Sequence, residues 1–422
     1  MGYPLSPSGL KSKPFRNQDF VLGQFFKAFP VDRRALRFRT GALIVSGLLV
    51  GAGLLAARWL RPTNLTLAEG LRRVESADAD GVDRIEQALL QSGSKDEATV
   101  VRSAWLVRRG RYDLALNRLT PEMIAGPLKR HVLRLAGESL FHLGELERAE
   151  VLLMKLVAEH PDEVAAHRLL AVMYYDLGSP ALALKALDAV VRLAPLDYRP
   201  HHLAGIILKD NENFLPAVEQ YRLGLSKMPP EEKRLEMQHE LAQVLISSKD
   251  FQGVIDVLAE AASSPDTDTQ RAEAVWSLGD AARATQLVDQ VLAQYPDHVQ
   301  ALKLRAKLFD EVGQGEQAVT LLQKVLAAEP FDVDARYQLV QLFGTLGKHA
   351  ERTAEQIEYD RYRALQDRLI ELNQQANSDP NAVAPRRELA EVCRALGRQK
   401  LAEMWQRAAE HCARRQQGQQ TP

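Results

Sequence analysis

Prolines 34 residues apart constrain this chain more than anything else in it. Pro127, Pro161, Pro195 and Pro229 keep the step without slip, and Pro296 to Pro330 repeats it. Small residues march in the same phase: Ala115, Ala149, Ala183 and Ala217, then Ala284 and Ala318. Glycines follow at Gly110, Gly144 and Gly178, then Gly279, Gly313 and Gly347. A fixed period of this length means one helical hairpin stacked many times. Such a stack builds an extended binding surface from many units, not a catalytic cleft.

The pattern has a simple physical basis. A small residue is needed where two helices approach most closely, because a larger one would force them apart. Glycine permits the positive backbone angle that ends the first helix. Proline lacks an amide hydrogen and stops the second. Helix formers dominate the composition and only 6% of residues are aromatic, which suits an all-helical chain.

Charge is unevenly spread. Residues 1–39 hold eight Lys or Arg against two Asp, a net of +6; the chain totals -1, so the remainder carries -7. An acidic remainder is a poor partner for the phosphate backbone, and no nucleic-acid partner is expected. Cys393 and Cys412 are the only cysteines. They form no CxxC motif, and on the two helices of one hairpin they would sit on the order of 10 Å apart, too far for a bridge. Two free, buried thiols are expected.

Thr40 to Ala57 is 18 positions without a charge. At helical rise they span roughly 27 Å, close to a hydrocarbon core. A start of about 40 residues, and Arg58, Trp59 and Leu60 after the run, fit an uncleaved anchor better than a cleaved signal peptide. Arg33, Arg34, Arg37 and Arg39 outweigh Arg58 and Arg61, which places the N-terminus in the cytoplasm and the repeats beyond the membrane. Gly47 and Gly51 form a GxxxG step through which two anchors could pair as a homodimer. Phe20, Phe25, Phe26 and Phe29, with Lys27 nearby, are placed for a short helix on the cytoplasmic leaflet; a disordered tail is the alternative.

Aligned by phase, the units become explicit. Residues 130–163 carry Gly137, Gly144, Ala149 and Pro161; residues 164–197 carry Ala171, Gly178, Ala183 and Pro195; residues 198–231 carry Gly205, Glu212, Ala217 and Pro229. Glu212 departs from glycine, so a slightly different turn is expected there. An earlier unit, 96–129, has Gly110, Tyr112, Ala115 and Pro127; after Pro229 the phase slips, and Lys249 replaces the next turn glycine. The pattern resumes with Gly279 and Ala284, then Ala306, Gly313 and Ala318. Each unit resembles a tetratricopeptide repeat. The resemblance, of the membrane-anchored bacterial kind, implies a right-handed α-solenoid preceded by one transmembrane helix. The expected organisation is a basic cytoplasmic tail (1–39), a transmembrane signal anchor (40–60), a degenerate helical cap (62–95), a repeat solenoid (96–347), a long helix (348–373) and a capping hairpin with tail (374–422). Asn377, Asp379, Pro380 and Asn381 mark the loop before that last hairpin.

No catalytic constellation stands out, and no enzyme, metal site or cofactor is expected. His201 and His202 are adjacent, so on a helix they point roughly 100° apart and share a metal poorly. GTLGKH (Gly344 to His349) lacks phosphate-loop spacing and occupies a repeat turn. The resemblance implies a groove lined by the first helix of each unit, with its fifth residue pointing inward. That row is Arg134, Arg168, His202, His239, Lys303 and Tyr337, with Phe141, Tyr175 and Ile206 as apolar footing. A basic row could hold an acidic or C-terminal peptide. The bland alternative is a solvated surface paired with Glu138, Asp176 and Glu236. Glu138 and Val172 stand where the carboxylate clamp of chaperone-binding relatives has asparagine, so that recognition is not expected. The expected function is a scaffold or adaptor of the inner membrane that holds protein or peptide partners in envelope assembly or complex biogenesis. The alternative is a non-catalytic arm that recruits substrate to a membrane-associated transferase or protease.

Overall fold

The structure, a computed structural model, describes residues 66–420. The basic tail, the 40–60 span with its Gly47 and Gly51 step, and the first residues of the 62–95 cap lie outside the described residues. Among the described residues there are twenty α-helices and no strand. None of those helices is long and apolar enough to cross a membrane. The chain divides into two compact units between Pro161 and Asp162.

The first unit holds α1 (Leu67–Glu75), α2 (Ala79–Gln91), α3 (Lys95–Arg108), α4 (Tyr112–Arg118), α5 (Lys129–His142) and α6 (Leu146–Glu159). Thr66 and Asp78 cap α1 and α2 with their side chains, satisfying amides that a helix start leaves unpaired. Val82, Ile85 and Leu89 recur at helical spacing and bury against Val100, Val101 and Ala104 of α3. α3 and α4 pair within the expected 96–129 unit, where α4 is short. It ends at Arg118, and a 3-10 turn over Pro121–Ile124 follows. Pro121 cannot supply the amide that the next helical turn requires, so the helix stops before Pro127 is reached.

The second unit is a run of helix pairs: α7 (Val164–Asp176) with α8 (Pro180–Leu193), α9 (Arg199–Asp210) with α10 (Phe214–Ser226), α11 (Glu231–Ser247) with α12 (Phe251–Leu258), α13 (Pro265–Ser277) with α14 (Ala281–Gln294), α15 (Val299–Glu311) with α16 (Gly315–Ala328), α17 (Val333–Thr345) with α18 (His349–Ser378), and α19 (Val383–Ala395) with α20 (Gln399–Gln420). Each member packs against its partner, and the chain of contacts continues from pair to pair. Gly205 shows why small residues recur: a Cβ there would sit 2.9 Å from the Tyr221 ring of α10.

The turns within pairs share one geometry. Gly178 has φ +58°, and the Ser179 amide donates to the Tyr174 carbonyl at 2.8 Å. This satisfies a carbonyl that the helix end would otherwise orphan. Glu212 (φ +58°) and Lys249 (φ +62°) adopt the same conformation without glycine. The matching bonds, Asn213 N to Leu208 O at 2.9 Å and Asp250 N to Leu245 O at 2.8 Å, are present. The altered turn expected at Glu212 is therefore absent; the hydrogen bond imposes the geometry on the residue available.

The slip after Pro229 has a clear structural form. α12 has only eight residues and gives way to a loop that Ser264 closes with a capping box onto Thr267. Arg271 bonds the Leu258 and Ala261 carbonyls and Asp268, so its guanidinium takes the place of the missing last turn. α18 runs 30 residues to Ser378, about 45 Å at helical rise. Asn377, expected in the loop, is inside that helix. The loop begins at Asp379, just ahead of Pro380, whose ring disfavours a helical residue before it.

The last pair does more than close an end. Arg386 of α19 is fully buried. Its Nη1 donates to the carbonyls of Asp379 (3.1 Å) and Ala382 (2.7 Å), and its Nη2 to those of Ala376 (3.1 Å) and Gly178 (3.3 Å). Trp405 of α20 lies directly over Gly178, where a Cβ would meet the indole at 2.1 Å. The Asn377 amide donates to the Asn211 side chain at 2.8 Å. The final pair thus grips the turn of the unit's first pair, and the end of α18 grips the turn of its second. Cys393 and Cys412 are both buried here and form no disulfide. Burial pushes the Cys393 thiol up to about 11, which leaves it unreactive.

Candidate partner-binding face

The fifth residues of the first helices were expected either to line a partner groove or to pair as solvated surface. The structure gives nearly every one a partner on its own unit. Arg168 Nη2 lies 2.6 Å from Asp197 Oδ2, and Lys303 Nζ lies 2.8 Å from Asp332 Oδ2. Both partners are 29 residues downstream, in the loop that leads into the next pair. The cation therefore ties its own helix to the entry of the following one. Burial pulls the Lys303 ammonium down, but its bond to Asp332 outweighs this and holds it above the usual lysine range. Arg134, in the first unit, lies 3.6 Å from Glu138 one turn along. His202 Nε2 sits 2.6 Å from Glu240 Oε2. His239 contacts Gln270 and Gln243 at 3.1 and 2.9 Å. Arg134, Arg168 and Lys303 of this row thus each lie near a carboxylate of the chain itself. The partners differ from those expected, with Asp197, Glu240 and Asp332 in place of Asp176 and Glu236.

The apolar footing is also redistributed. Ile206 is 6% exposed, because α9 is buried on both sides from Pro200 to Ile207, and it offers no surface. Phe141 packs edge-on against His142 at 5.1 Å. Tyr175 is half-buried and donates from its hydroxyl to Asp210 Oδ2 at 2.8 Å. Tyr337 is 49% exposed, with its ring 5.5 Å from that of Tyr359.

A second ladder, not anticipated from the sequence, runs beside the first. The Tyr175 hydroxyl reaches Asp210, and the Trp276 indole reaches Glu311 at 2.8 Å; both steps cover 35 residues. The aromatic near the end of one first helix donates to a carboxylate one place further along in the next pair. The 35-residue spacing of ring and acid was the available signal. Lys307 lies over the Trp276 ring at 5.4 Å and 3.7 Å from Glu273.

Two acidic groups stand apart. Burial pushes the half-buried Asp176 carboxyl up to about 7, with Arg407 of α20 drawing it partly back. Glu236 and Glu240, one turn apart on α11, bring their carboxylates to His202 of α9. Burial works against the Glu240 carboxylate, but its bond to His202 leaves it below the usual range. The Tyr221 hydroxyl lies beside the same carboxylate.

Family models for the tetratricopeptide repeat match residues 152–198 and 275–342. No curated protein matches the chain at a significant level. Among solved structures, a tetratricopeptide repeat protein from Parabacteroides merdae is 18% identical over 58% of this chain and 97% of that one, with a TM-score of 0.40. The C-terminal part of a repeat protein from Cytophaga hutchinsonii is 16% identical over 53% and 92%, also at 0.40. YrrB, described as a tetratricopeptide-repeat protein with an unusual peptide-binding site, is 15% identical over 44% and 96%, at 0.35. These overlaps are too loose to carry an argument. The two matched segments thus carry tetratricopeptide repeats, and they fall where the phased prolines, the close-packed small residues and the shared turn geometry also occur.

Proposed function

We propose that this chain is a membrane-tethered adaptor that holds a partner protein against the first helices of its second unit, in the assembly of envelope proteins or complexes. Tetratricopeptide repeats are generally protein-binding scaffolds, and that much follows from the family. One observation carries the placement. Trp276, Lys307 and Tyr337 lie on successive first helices α13, α15 and α17, and Trp276 is pinned in register by its bond to Glu311. Aromatic and cationic side chains dominate binding energy at protein interfaces, and here Lys307 lies over the Trp276 ring while Tyr337 is exposed on the next first helix. Arg168 and Lys303 support this by tying successive pairs together through Asp197 and Asp332. The tether rests on the uncharged Thr40 to Ala57 run and the arginines before it.

The experiment is crosslinking in native membranes followed by mass spectrometry, comparing the natural chain with the Trp276→Ala, Tyr337→Ala double variant. The double variant should lose the dominant crosslinked protein at least tenfold while its helical content is unchanged. An identical crosslinked set would end this placement. Protease added to spheroplasts should degrade the repeats and spare the N-terminus; protected repeats would reverse the orientation.

A further inference from the structure

Glu236 and Glu240 stand one helical turn apart, so both carboxylates project from the same side of α11. That side meets His202 of α9. One imidazole nitrogen and one oxygen from each carboxylate all lie within 4.8 Å of one another. We propose that His202, Glu236 and Glu240 form a binding site for a first-row divalent transition-metal ion, with water completing the coordination. This proposal stands independently of the partner-binding reading.

The chemistry of the donors favours this class. An imidazole with two carboxylates suits Zn2+, Co2+ or Mn2+, whereas Ca2+ and Mg2+ prefer oxygen alone. The geometry needs little change. Ligands about 2.1 Å from a tetrahedral ion are about 3.4 Å from each other. His202 Nε2 and Glu240 Oε2, hydrogen-bonded at 2.6 Å, would open by less than about 1 Å to admit it. His202 is buried, and the Tyr221 hydroxyl, itself buried without a hydrogen-bond partner, lies on the same side of the site. Lys233 holds Glu236 and must release it, so an ion here competes with an ammonium. The setting gives the site a purpose. The ion would join α9 to α11 where the repeat phase slips after Pro229 and α12 is cut short. It would act as a staple between pairs at the least regular junction of the unit.

The test is titration of the full-length chain, in detergent and stripped with a chelator, with Co2+ as a visible probe and Zn2+ as competitor. One Co2+ per chain should bind, giving a visible d–d band that Zn2+ abolishes. Glu240→Gln and His202→Ala should each weaken binding at least 100-fold, and Glu236→Gln at least tenfold. His239→Ala, one residue away but bonded to Gln270, should bind normally. Should His202→Ala fail to fold, Glu236→Gln remains decisive, because it leaves the His202–Glu240 bond intact. Absence of saturable binding, or binding that Glu236→Gln and Glu240→Gln leave unchanged, overturns the proposal.

Discussion

Glu212 and Lys249 hold positive φ at +58° and +62°, where glycine sits in the equivalent turns. A side chain in that region crowds the following carbonyl at a cost of about 1–2 kcal/mol. The 34-residue phase located the Glu212 turn, Lys249 was read as the turn residue of the slipped unit, and both departures from glycine were legible. What a local comparison could not supply was that the carbonyl-to-amide bond across each turn overrides the preference. Glu212→Gly and Lys249→Gly should therefore each stabilise the chain by up to about 1 kcal/mol, read as a higher denaturant midpoint. A loss of stability would mean that these side chains do something the turn geometry does not show. Asp176 gives a second test at this scale. Its carboxyl, raised by burial to about 7, binds its proton more tightly folded than unfolded. The stability it contributes is fully present below the unfolded value near 4 and is lost as pH rises through about 7. Asp176→Asn should leave the melting temperature nearly unchanged at pH 4 and raise it at pH 8. Equal shifts at both pH values would show that Asp176 is ionised throughout. The basic row teaches the same lesson about reach. Its positions could be read from the phase, but Arg168–Asp197 and Lys303–Asp332 pair across 29 residues, which only the folded chain shows.

At the scale of elements, the regular pairs were legible because their signals are local and repeated. The exceptions each have an identifiable cause. α4 fails to reach Pro127 because Pro121 intervenes. α18 passes Asn373 and stops only at Ser378, because nothing before Pro380 breaks it. α12 ends after eight residues, and the deficit is met by Arg271, whose guanidinium bonds the Leu258 and Ala261 carbonyls. Hydrogen bonds from a charged donor contribute about 1.5–3 kcal/mol when their loss leaves acceptors unpaired. Arg271→Ala should destabilise the chain by roughly 2 kcal/mol, and Arg271→Lys should recover only part of it, because one ammonium cannot span the same acceptors as a planar fork. The measurement is equilibrium urea unfolding of the three proteins. A full recovery by lysine would reduce the role of Arg271 to charge alone.

At the scale of the whole unit, the end-to-end grip breaks a rule that simple repeat stacks obey. In such stacks each unit feels only its neighbours, so a change at one end dies out along the array. Here Trp405 covers Gly178, and Arg386 bonds the Gly178 carbonyl across 208 residues. No periodic signal announces this, because the contact occurs once. The trace in the sequence is a charged residue in an apolar stripe: Arg386 is aligned with Leu389, Ala390 and Cys393, all buried. Shortening Trp405 to alanine should uncover the α7–α8 turn. Hydrogen exchange should then rise at least tenfold at the amides of Gly178, Ser179 and Ala183, while α13 and α15 in the middle of the unit keep their protection. Nearest-neighbour stacking predicts the opposite pattern, with faster exchange confined to α18, α19 and α20. The distribution of exchange along the chain therefore decides whether the second unit is an open array or one whose two ends stabilise each other.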